Sequence, residues 1–119
     1  MPAPEKSLLL RIFIGDDDTY AGADRAEEPL YEAIAAKARQ RGMNGLTASR
    51  GIVGFGPASL REQVLLRRSE DRPVVIEMVD TEAKISAFLP VLERMIGSGL
   101  VVVEEVKAVR YGPSGTRKA

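Results

Sequence analysis

The residues best suited to chemistry lie in a glycine-rich stretch, residues 45–56, which has the sequence GLTASRGIVGFG. Gly51, Gly54 and Gly56 place three glycines within six residues of a segment that otherwise has the pattern of a strand. Because glycine costs backbone entropy and contributes no side-chain packing, such a cluster indicates a bend, a positive φ angle, or backbone that another group approaches closely. The polar residues 57–63 are typical of a projecting loop. A simple strand bend is the alternative to a binding site here.

Composition excludes several kinds of chemistry. The chain contains no cysteine and no histidine, which excludes disulfides, thiol chemistry and histidine-based acid–base catalysis. A zinc site would have only carboxylate ligands, which disfavours one. The acidic run Asp16, Asp17 and Asp18 lacks the alternating oxygen ligands and the closing glutamate of a calcium loop, so it favours a solvated turn over a metal site. We therefore predict no metal site, no catalytic residue and no tightly bound cofactor.

Charge and length bound the class of protein. Seventeen basic and seventeen acidic residues give a net charge of zero, which argues against nucleic acid or an anionic membrane as the main partner. No apolar run approaches the ~20 residues of a membrane span, and the first residues have no signal-peptide core. We expect one domain over the 119 residues, with its core at about 8–111, flexible ends at 1–6 and 112–119, and a cytoplasmic location.

Apolar patterns along the chain predict the β-strands. They place strands at residues 8–14, 45–56, 74–79 and 100–111, with a further extended segment at 64–66. The first and third of these strands are apolar on both sides apart from Arg11 and Glu77, which is typical of central strands covered on two faces. In the last strand the alternation slips at Glu104 and Glu105, which predicts a bulge.

Two helices separate these strands. The first begins with two acids and Pro29, a typical helix start, and ends at Gly42. Thr81 can cap the second helix, and Pro90 inside it predicts a kink. Residues 15–27, between the first strand and the first helix, are predicted to form a surface loop. Each helix has one apolar stripe: Leu30, Ala33, Ile34 and Ala38 in the first, and Ile85, Phe88, Leu89, Leu92, Met95 and Ile96 in the second.

The element order βαββαβ predicts an α+β, ferredoxin-like fold. In that fold the first and third strands lie side by side within an antiparallel sheet that has two helices on one face. Since side chains alternate across a strand, the other face receives mostly apolar side chains: Leu9, Arg11, Phe13, Val75, Glu77 and Val79. Contiguous apolar area of this kind marks an interface, so the face predicts a homo-oligomer. Arg11 and Glu77 could pair on it.

Several short sequence motifs occur in a specific order and spacing along the chain. They are LRIFIG at 10–15, PLY at 29–31, RGIVGFG at 50–56, SEDRPVV at 69–75 and FLP at 88–90, with GLT at 45–47. GLT and the GFG at 54–56 resemble the second strand and the T-loop base of the nitrogen-regulatory PII signalling proteins. The chain from about residue 8 to 111 resembles more closely a small bacterial PII-like family. This resemblance implies a trimer whose open sheet faces turn inward.

The resemblance also implies an effector site. PII-like proteins hold an adenine nucleotide in the cleft between neighbouring subunits, with backbone amides and basic side chains on the phosphates. Carried over by position, the nucleotide-binding residues are Thr47, Gly54, Phe55, Gly56, Glu77, Val79 and Arg110. Arg50 is added to this nucleotide-binding set as a basic residue that could contact the phosphates, and Arg67 and Arg68 are further candidates for phosphate contacts. A solvated strand edge is the alternative for Arg67 and Arg68. The effector could carry Mg²⁺.

Two departures from the PII pattern affect the phosphate site. Ala108 stands where a second phosphate-binding arginine is expected. Residues 97–99, with the sequence GSG, replace a longer loop that carries a phosphate-binding lysine in PII proteins. The resemblance therefore favours ADP or AMP as much as ATP.

The loop after the glycine-rich stretch corresponds to a short T-loop, formed by Pro57, Ala58, Ser59, Leu60, Arg61 and Glu62. It contains no tyrosine, so the nucleotidylation of some PII proteins has no acceptor here. The resemblance implies a regulator, not an enzyme, that presents this loop to a transporter, a channel or an enzyme. Two alternatives are a CutA-like trimeric binding protein, disfavoured for soft metals by the missing histidine and cysteine, and a small ferredoxin-like enzyme such as an acylphosphatase. An acylphosphatase needs an anion-binding loop where this chain has its acidic run.

Overall fold

The computed structural model describes residues 3–22, 26–52 and 72–112. Along the chain the elements are β1 (Glu5–Gly15), β2 (Thr19–Tyr20), β3 (Glu28–Pro29), α1 (Leu30–Gln40), β4 (Thr47–Arg50), β5 (Pro73–Asp80), α2 (Glu82–Met95) and β6 (Leu100–Ala108). The four longer strands form one antiparallel sheet in the order β4-β5-β1-β6. This is the predicted ferredoxin-like α+β arrangement, with the first and third long strands in the centre.

Strand register places the two faces of the sheet as predicted. Leu10 is opposite Met78 and Ile12 is opposite Ile76, and all four are buried on the side that the helices cover. Arg11 is opposite Glu77 on the other side. This second side, which we call the open face, also carries the other side chains predicted for it: Leu9, Phe13, Val75 and Val79. The side chains of the open face are only partly covered within one chain, and Phe13 is 37% exposed.

Both helices pack their predicted stripes against the sheet. In α1 the buried residues are Leu30, Ala33, Ile34 and Ala38, and in α2 they are Ile85, Phe88, Val91, Leu92 and Met95. Val91 was missing from the predicted stripe, whereas Leu89 and Ile96 are only partly buried. α1 begins directly after Pro29, and the turn that ends it contains Gly42 at φ +75°. A positive φ favours glycine because it has no Cβ.

The second helix begins and continues as its sequence allows. The Thr81 side chain accepts a hydrogen bond from the backbone N–H of Lys84 at 3.2 Å, which is the predicted N-cap. α2 continues through Pro90 to Met95. Pro90 cannot donate to the carbonyl of Ser86, but both residues are exposed, so water can satisfy that carbonyl.

Three local predictions were wrong or incomplete. The register between β1 and β6 is constant from Glu5 opposite Ala108 to Phe13 opposite Leu100, so no bulge occurs at Glu104 and Glu105. A bulge would be needed only if one of these glutamates otherwise had to face the core. Because β6 is an edge strand and both glutamates are exposed, the regular register can continue. β1 also begins at Glu5 rather than at residue 8, and β6 ends at Ala108.

The segment predicted as a surface loop, 15–27, contains the short strand β2, which pairs with β3 at the predicted start of the first helix. Tyr20 packs partly against the core, and the backbone N–H of Leu30 donates to the carbonyl of Asp18 at 2.8 Å. These contacts hold the segment against the start of α1. The predicted extended segment at 64–66 lies outside the described residues.

Candidate functional site

The candidate site is a cleft at the point where β4 separates from β5. The ladder between these strands runs from Arg50 opposite Val74 to Thr47 opposite Glu77. Residues 44–46 lie before that ladder and are not paired with β5 in it. The cleft left between them has a volume of about 350 Å³ and is lined by Leu9, Asn44, Gly45, Leu46, Thr47, Glu77, Met78, Val79 and Arg110.

Four of the predicted nucleotide-binding residues line this one cleft. Thr47, Glu77 and Val79 come from neighbouring strands and share the open face by register. Arg110, which follows β6, reaches the same place: its Nη2 donates to the carbonyl oxygen of Val79 at 3.2 Å. Sequence positions separated by up to 63 residues, from Thr47 to Arg110, therefore line the same cleft.

Glu77 is paired within the open face. Its Oε2 accepts a hydrogen bond from Nε of Arg11 at 2.7 Å, which confirms the predicted pair. The two side chains are 44% and 34% exposed, so water reduces the strength of this ion pair in a single chain. The second carboxylate oxygen of Glu77 has lone pairs that can accept hydrogen bonds from hydroxyl groups of a ligand.

The cleft combines the groups that an amphipathic anion requires. Leu9, Leu46 and Val79 supply apolar surface, Glu77 supplies a hydrogen-bond acceptor, and Arg110 supplies a guanidinium that can donate to an anion. The backbone of Gly45 has no side chain in front of it, and a Cβ there would meet nothing within 4 Å.

Arg50 lies at the other end of β4, outside this cleft. Its Nε and Nη2 each donate to an oxygen of Asp16 at 3.0 Å, and its guanidinium lies 5.9 Å from the ring centroid of Tyr31. The hydrogen bonds that Arg50 donates to Asp16, and then the negative charge of Asp16, raise the pKa of Arg50 above its usual value, so the guanidinium stays charged. A role for Arg50 in binding remains a prediction and would require it to leave Asp16.

Close approach explains Gly51. A Cβ at this position would lie 2.8 Å from Cγ of Pro73, and the backbone N–H of Gly51 donates to the carbonyl of Pro73 at 2.7 Å. Gly51 therefore packs against the start of β5. The remaining predicted site residues lie outside the described part of the chain: Gly54, Phe55, Gly56, Arg67, Arg68, and the loop residues Pro57, Ala58, Ser59, Leu60, Arg61 and Glu62.

Sequence reasoning missed the residues that support the cleft wall. Asp80, at the end of β5, is fully buried and accepts hydrogen bonds from the backbone N–H and the side chain of Asn44. The sequence did contain one indication of this role: Asp80 is a charged residue at a position where the alternation of β5 predicts an apolar one. Leu9, Gly45, Leu46 and Met78 also line the cleft and were not predicted as site residues.

Neither a cluster of metal ligands nor a membrane-spanning helix occurs in the described residues. Within residues 3–22, 26–52 and 72–112, no three acidic side chains lie close enough together to hold a metal ion. In the same ranges no helix has the length and apolarity needed to cross a membrane.

Several solved structures share the fold. A Thermus thermophilus protein described as PII-like (TTHA0516) is 16% identical, with a TM-score of 0.59 over 89% of this chain and 92% of that chain. CPII from Thiomonas intermedia K12, bound to ADP and bicarbonate, is 20% identical, with a TM-score of 0.56 over 92% of this chain and 95% of that chain. CPII has also been solved bound to ADP, AMP and acetate. These similarities show a PII-like fold.

Sequence comparison identifies the family. The DUF190 family model, described as an uncharacterized ACR family, matches residues 7–108. A UPF0166 protein of Aquifex aeolicus (strain VF5) is 35% identical over 107 residues, which cover 87% of this chain and 94% of the relative. The UPF0166 protein MJ1524 of Methanocaldococcus jannaschii is 32% identical over 101 residues, or 84% and 89% of the two chains. Nearly the whole described core is thus matched, and the chain belongs to the DUF190 (UPF0166) family with a PII-like fold.

Proposed function

We propose that this protein is a regulatory protein that binds an adenine nucleotide in the cleft beside β4 and transmits binding to a partner through residues 57–62. The observation that carries this proposal is the single cleft that contains Thr47, Glu77, Val79 and Arg110. Support also comes from CPII, which has the same fold and has been solved with ADP and AMP.

The parts of a nucleotide correspond to the chemistry of the cleft. A purine base can pack on the apolar side chains of Leu46 and Val79, beside the exposed backbone of Gly45. Glu77 can accept hydrogen bonds from ribose hydroxyls, and Arg110 can donate to a phosphate. Arg110 is the one cationic side chain lining the cleft among the described residues. This favours ADP or AMP at least as much as ATP.

The cleft lies on the open face, so a second copy of the chain would cover it from one side. Phe13, Val75 and Val79 form an apolar surface around the Arg11–Glu77 pair. Burial of such a surface between copies is favourable at roughly 25 cal/mol per Å² of apolar area. We therefore propose a homotrimer with its open faces turned inward and with nucleotide bound between neighbouring copies.

The proposed output is a change in the loop that contains Pro57, Ser59 and Glu62. In sequence, residues 48–56 connect the cleft to that loop, so a ligand that prefers one conformation of this connection shifts the loop population. A transporter, a channel or an enzyme would be the partner that recognises it. No catalytic step is part of the proposal.

Isothermal titration calorimetry tests nucleotide binding. ATP, ADP, AMP and cyclic AMP are titrated into the full chain with and without Mg²⁺ and bicarbonate, and GDP serves as the control for the base. We expect heat with at least one adenine nucleotide and weaker binding of GDP. No heat with any of them would refute the proposed function. Turnover of phosphate esters by the pure protein would instead support an enzyme.

The molecular mass in solution tests the assembly. We expect light scattering to give three times the chain mass of 12.9 kDa, and Phe13→Asp to give a monomer because it places a charge on the open face. Ala87→Asp, an exposed substitution on α2 and away from the open face, is the matched control and should leave the mass unchanged. A monomeric wild-type protein would contradict the proposed cleft between copies.

A further inference from the structure

Asp80 is an exception in the core-facing side of β5, a strand that the structure describes completely. The other positions on that side are Val74, Ile76 and Met78, and all are buried. Asp80 is itself 0% exposed. A buried carboxylate loses its hydration, whereas an apolar residue at the same position does not have this cost. The contacts of Asp80 must therefore compensate for its burial.

Three N–H donors surround this carboxylate. Oδ2 accepts from the backbone N–H of Asn44 at 2.8 Å, and Oδ1 accepts from Nδ2 of Asn44 at 3.2 Å and from the backbone N–H of Thr81 at 2.8 Å. Hydrogen bonds to an ionised acceptor are stronger than neutral ones. Thr81 is also the N-cap of α2, whose positive dipole end favours a nearby carboxylate. Asp80 thus joins the start of α2 to the turn that precedes β4.

The residues after that turn, 44–46, separate two cavities, and we call them the cleft wall. Asn44, Gly45 and Leu46 line the cleft, and the same three residues line a second cavity of about 490 Å³ beside α1. Asn44 and Gly45 are exposed, and of the three wall residues Leu46 alone packs partly against the core. The conformation at the start of the wall therefore depends on polar contacts, where Lys84 adds a second one by donating from Nζ to the carbonyl of Gly42 at 2.8 Å.

We propose that Asp80 is the positioning residue of the nucleotide cleft: through Asn44 it holds the backbone of Gly45 and Leu46 in the conformation that binds. This inference rests on the proposed nucleotide binding. Without the contact, the wall samples other conformations, and the apparent affinity falls in proportion to the competent fraction. Binding must then also supply the free energy needed to order the wall, which weakens the apparent affinity.

The test compares Asp80→Asn with Glu82→Gln in the full chain. Asp80→Asn is nearly isosteric but turns one acceptor into a donor that faces the donors of Asn44. Glu82→Gln removes the same charge two residues away, at an exposed position in the first turn of α2. We expect Asp80→Asn to bind ADP about tenfold more weakly. Hydrogen exchange without nucleotide should be faster at the amides of 43–47 and at Thr81, whose N–H also donates to Asp80, and unchanged elsewhere. Glu82→Gln should match wild type in both measurements.

The outcomes separate this inference from the proposed function. Equal ADP affinity in Asp80→Asn and wild type, or weaker binding without faster exchange at 43–47, would overturn the positioning role and leave nucleotide binding intact. Wild-type protein that binds no adenine nucleotide would instead refute the proposal on which the inference rests.

If Asp80→Asn does not fold, Asn44→Ala decides the question. It removes only the Nδ2 hydrogen bond and keeps the backbone one, so the chain should fold. We expect about threefold weaker ADP binding and faster exchange at 45–47 in the absence of ligand. Exchange equal to wild type in this variant would overturn the positioning role.

Discussion

The two ends of β4 are attached to the rest of the molecule in different ways. At the cleft end, the buried carboxylate of Asp80 holds Asn44 with two hydrogen bonds. At the loop end, an exposed pair of Arg50 and Asp16 and the close contact of Gly51 with Pro73 hold the strand. Exposed ion pairs contribute little to stability, whereas breaking a compensated buried charge is costly. We therefore expect the cleft end to keep its conformation and the loop end to change conformation at a smaller cost in free energy.

The largest expected effect comes from Asp80→Ala. This change leaves the N–H groups of Asn44 and Thr81 without their acceptor, and we expect it to lower the free energy of unfolding by about 3 kcal/mol. Urea denaturation followed by circular dichroism measures it. Glu82→Ala is the control and should have a much smaller effect. A loss below about 1 kcal/mol for Asp80→Ala would show that the cleft end is not held as described.

A matched pair of glycine substitutions compares the same two ends. Gly51→Ala places a Cβ 2.8 Å from Cγ of Pro73, so we expect overpacking to lower the free energy of unfolding by about 1–3 kcal/mol. A Cβ at Gly45 meets nothing within 4 Å, so Gly45→Ala should change stability by less than about 0.5 kcal/mol. Because Gly45 lines the cleft, the same variant should bind ADP more weakly. A larger loss of stability for Gly45→Ala than for Gly51→Ala would contradict the structure.

Two arginine substitutions sharpen the comparison for binding. Arg110→Met removes the guanidinium of the cleft and should weaken ADP binding about tenfold, as expected for the loss of a charge-assisted hydrogen bond. Arg50→Met removes a guanidinium that is already bound to Asp16 and should weaken binding about twofold or less. Calorimetric titration with ADP measures both. A larger effect for Arg50→Met would mean that Arg50 leaves Asp16 when nucleotide binds.

The smallest expected effect is that of Asp16→Asn. It weakens the exposed pair with Arg50 without changing the size of the side chain. We expect the urea midpoint to be slightly lower than that of wild type in dilute buffer and equal to it at about 0.5 M salt, because salt screens exposed charges. A loss that persists at high salt would indicate that the loop end is held as firmly as the cleft end.

Part of the site could be predicted because the pattern of side chains fixes which face each residue occupies. The Arg11–Glu77 pair, the open face and the joint location of Thr47, Glu77 and Val79 all follow from alternation once the strand order is known. The contact between Asp80 and Asn44 could not be predicted in this way. It joins the end of a strand to a turn 36 residues earlier, and neither segment has a periodic pattern at that point.

By itself, the sequence determined the order of the two helices and the four long strands, the core stripes and the two faces of the sheet, because these follow from periodic burial within each element. Only the tertiary structure decided that β4 leaves β5 beyond Thr47 and opens a cleft, that Arg50 is bound by Asp16, and that Asp80 supports the cleft wall. These features depend on how far strands remain paired and on which chain ends meet in space. The extent of strand pairing and the meeting of chain ends are both determined by contacts between segments that are remote in sequence.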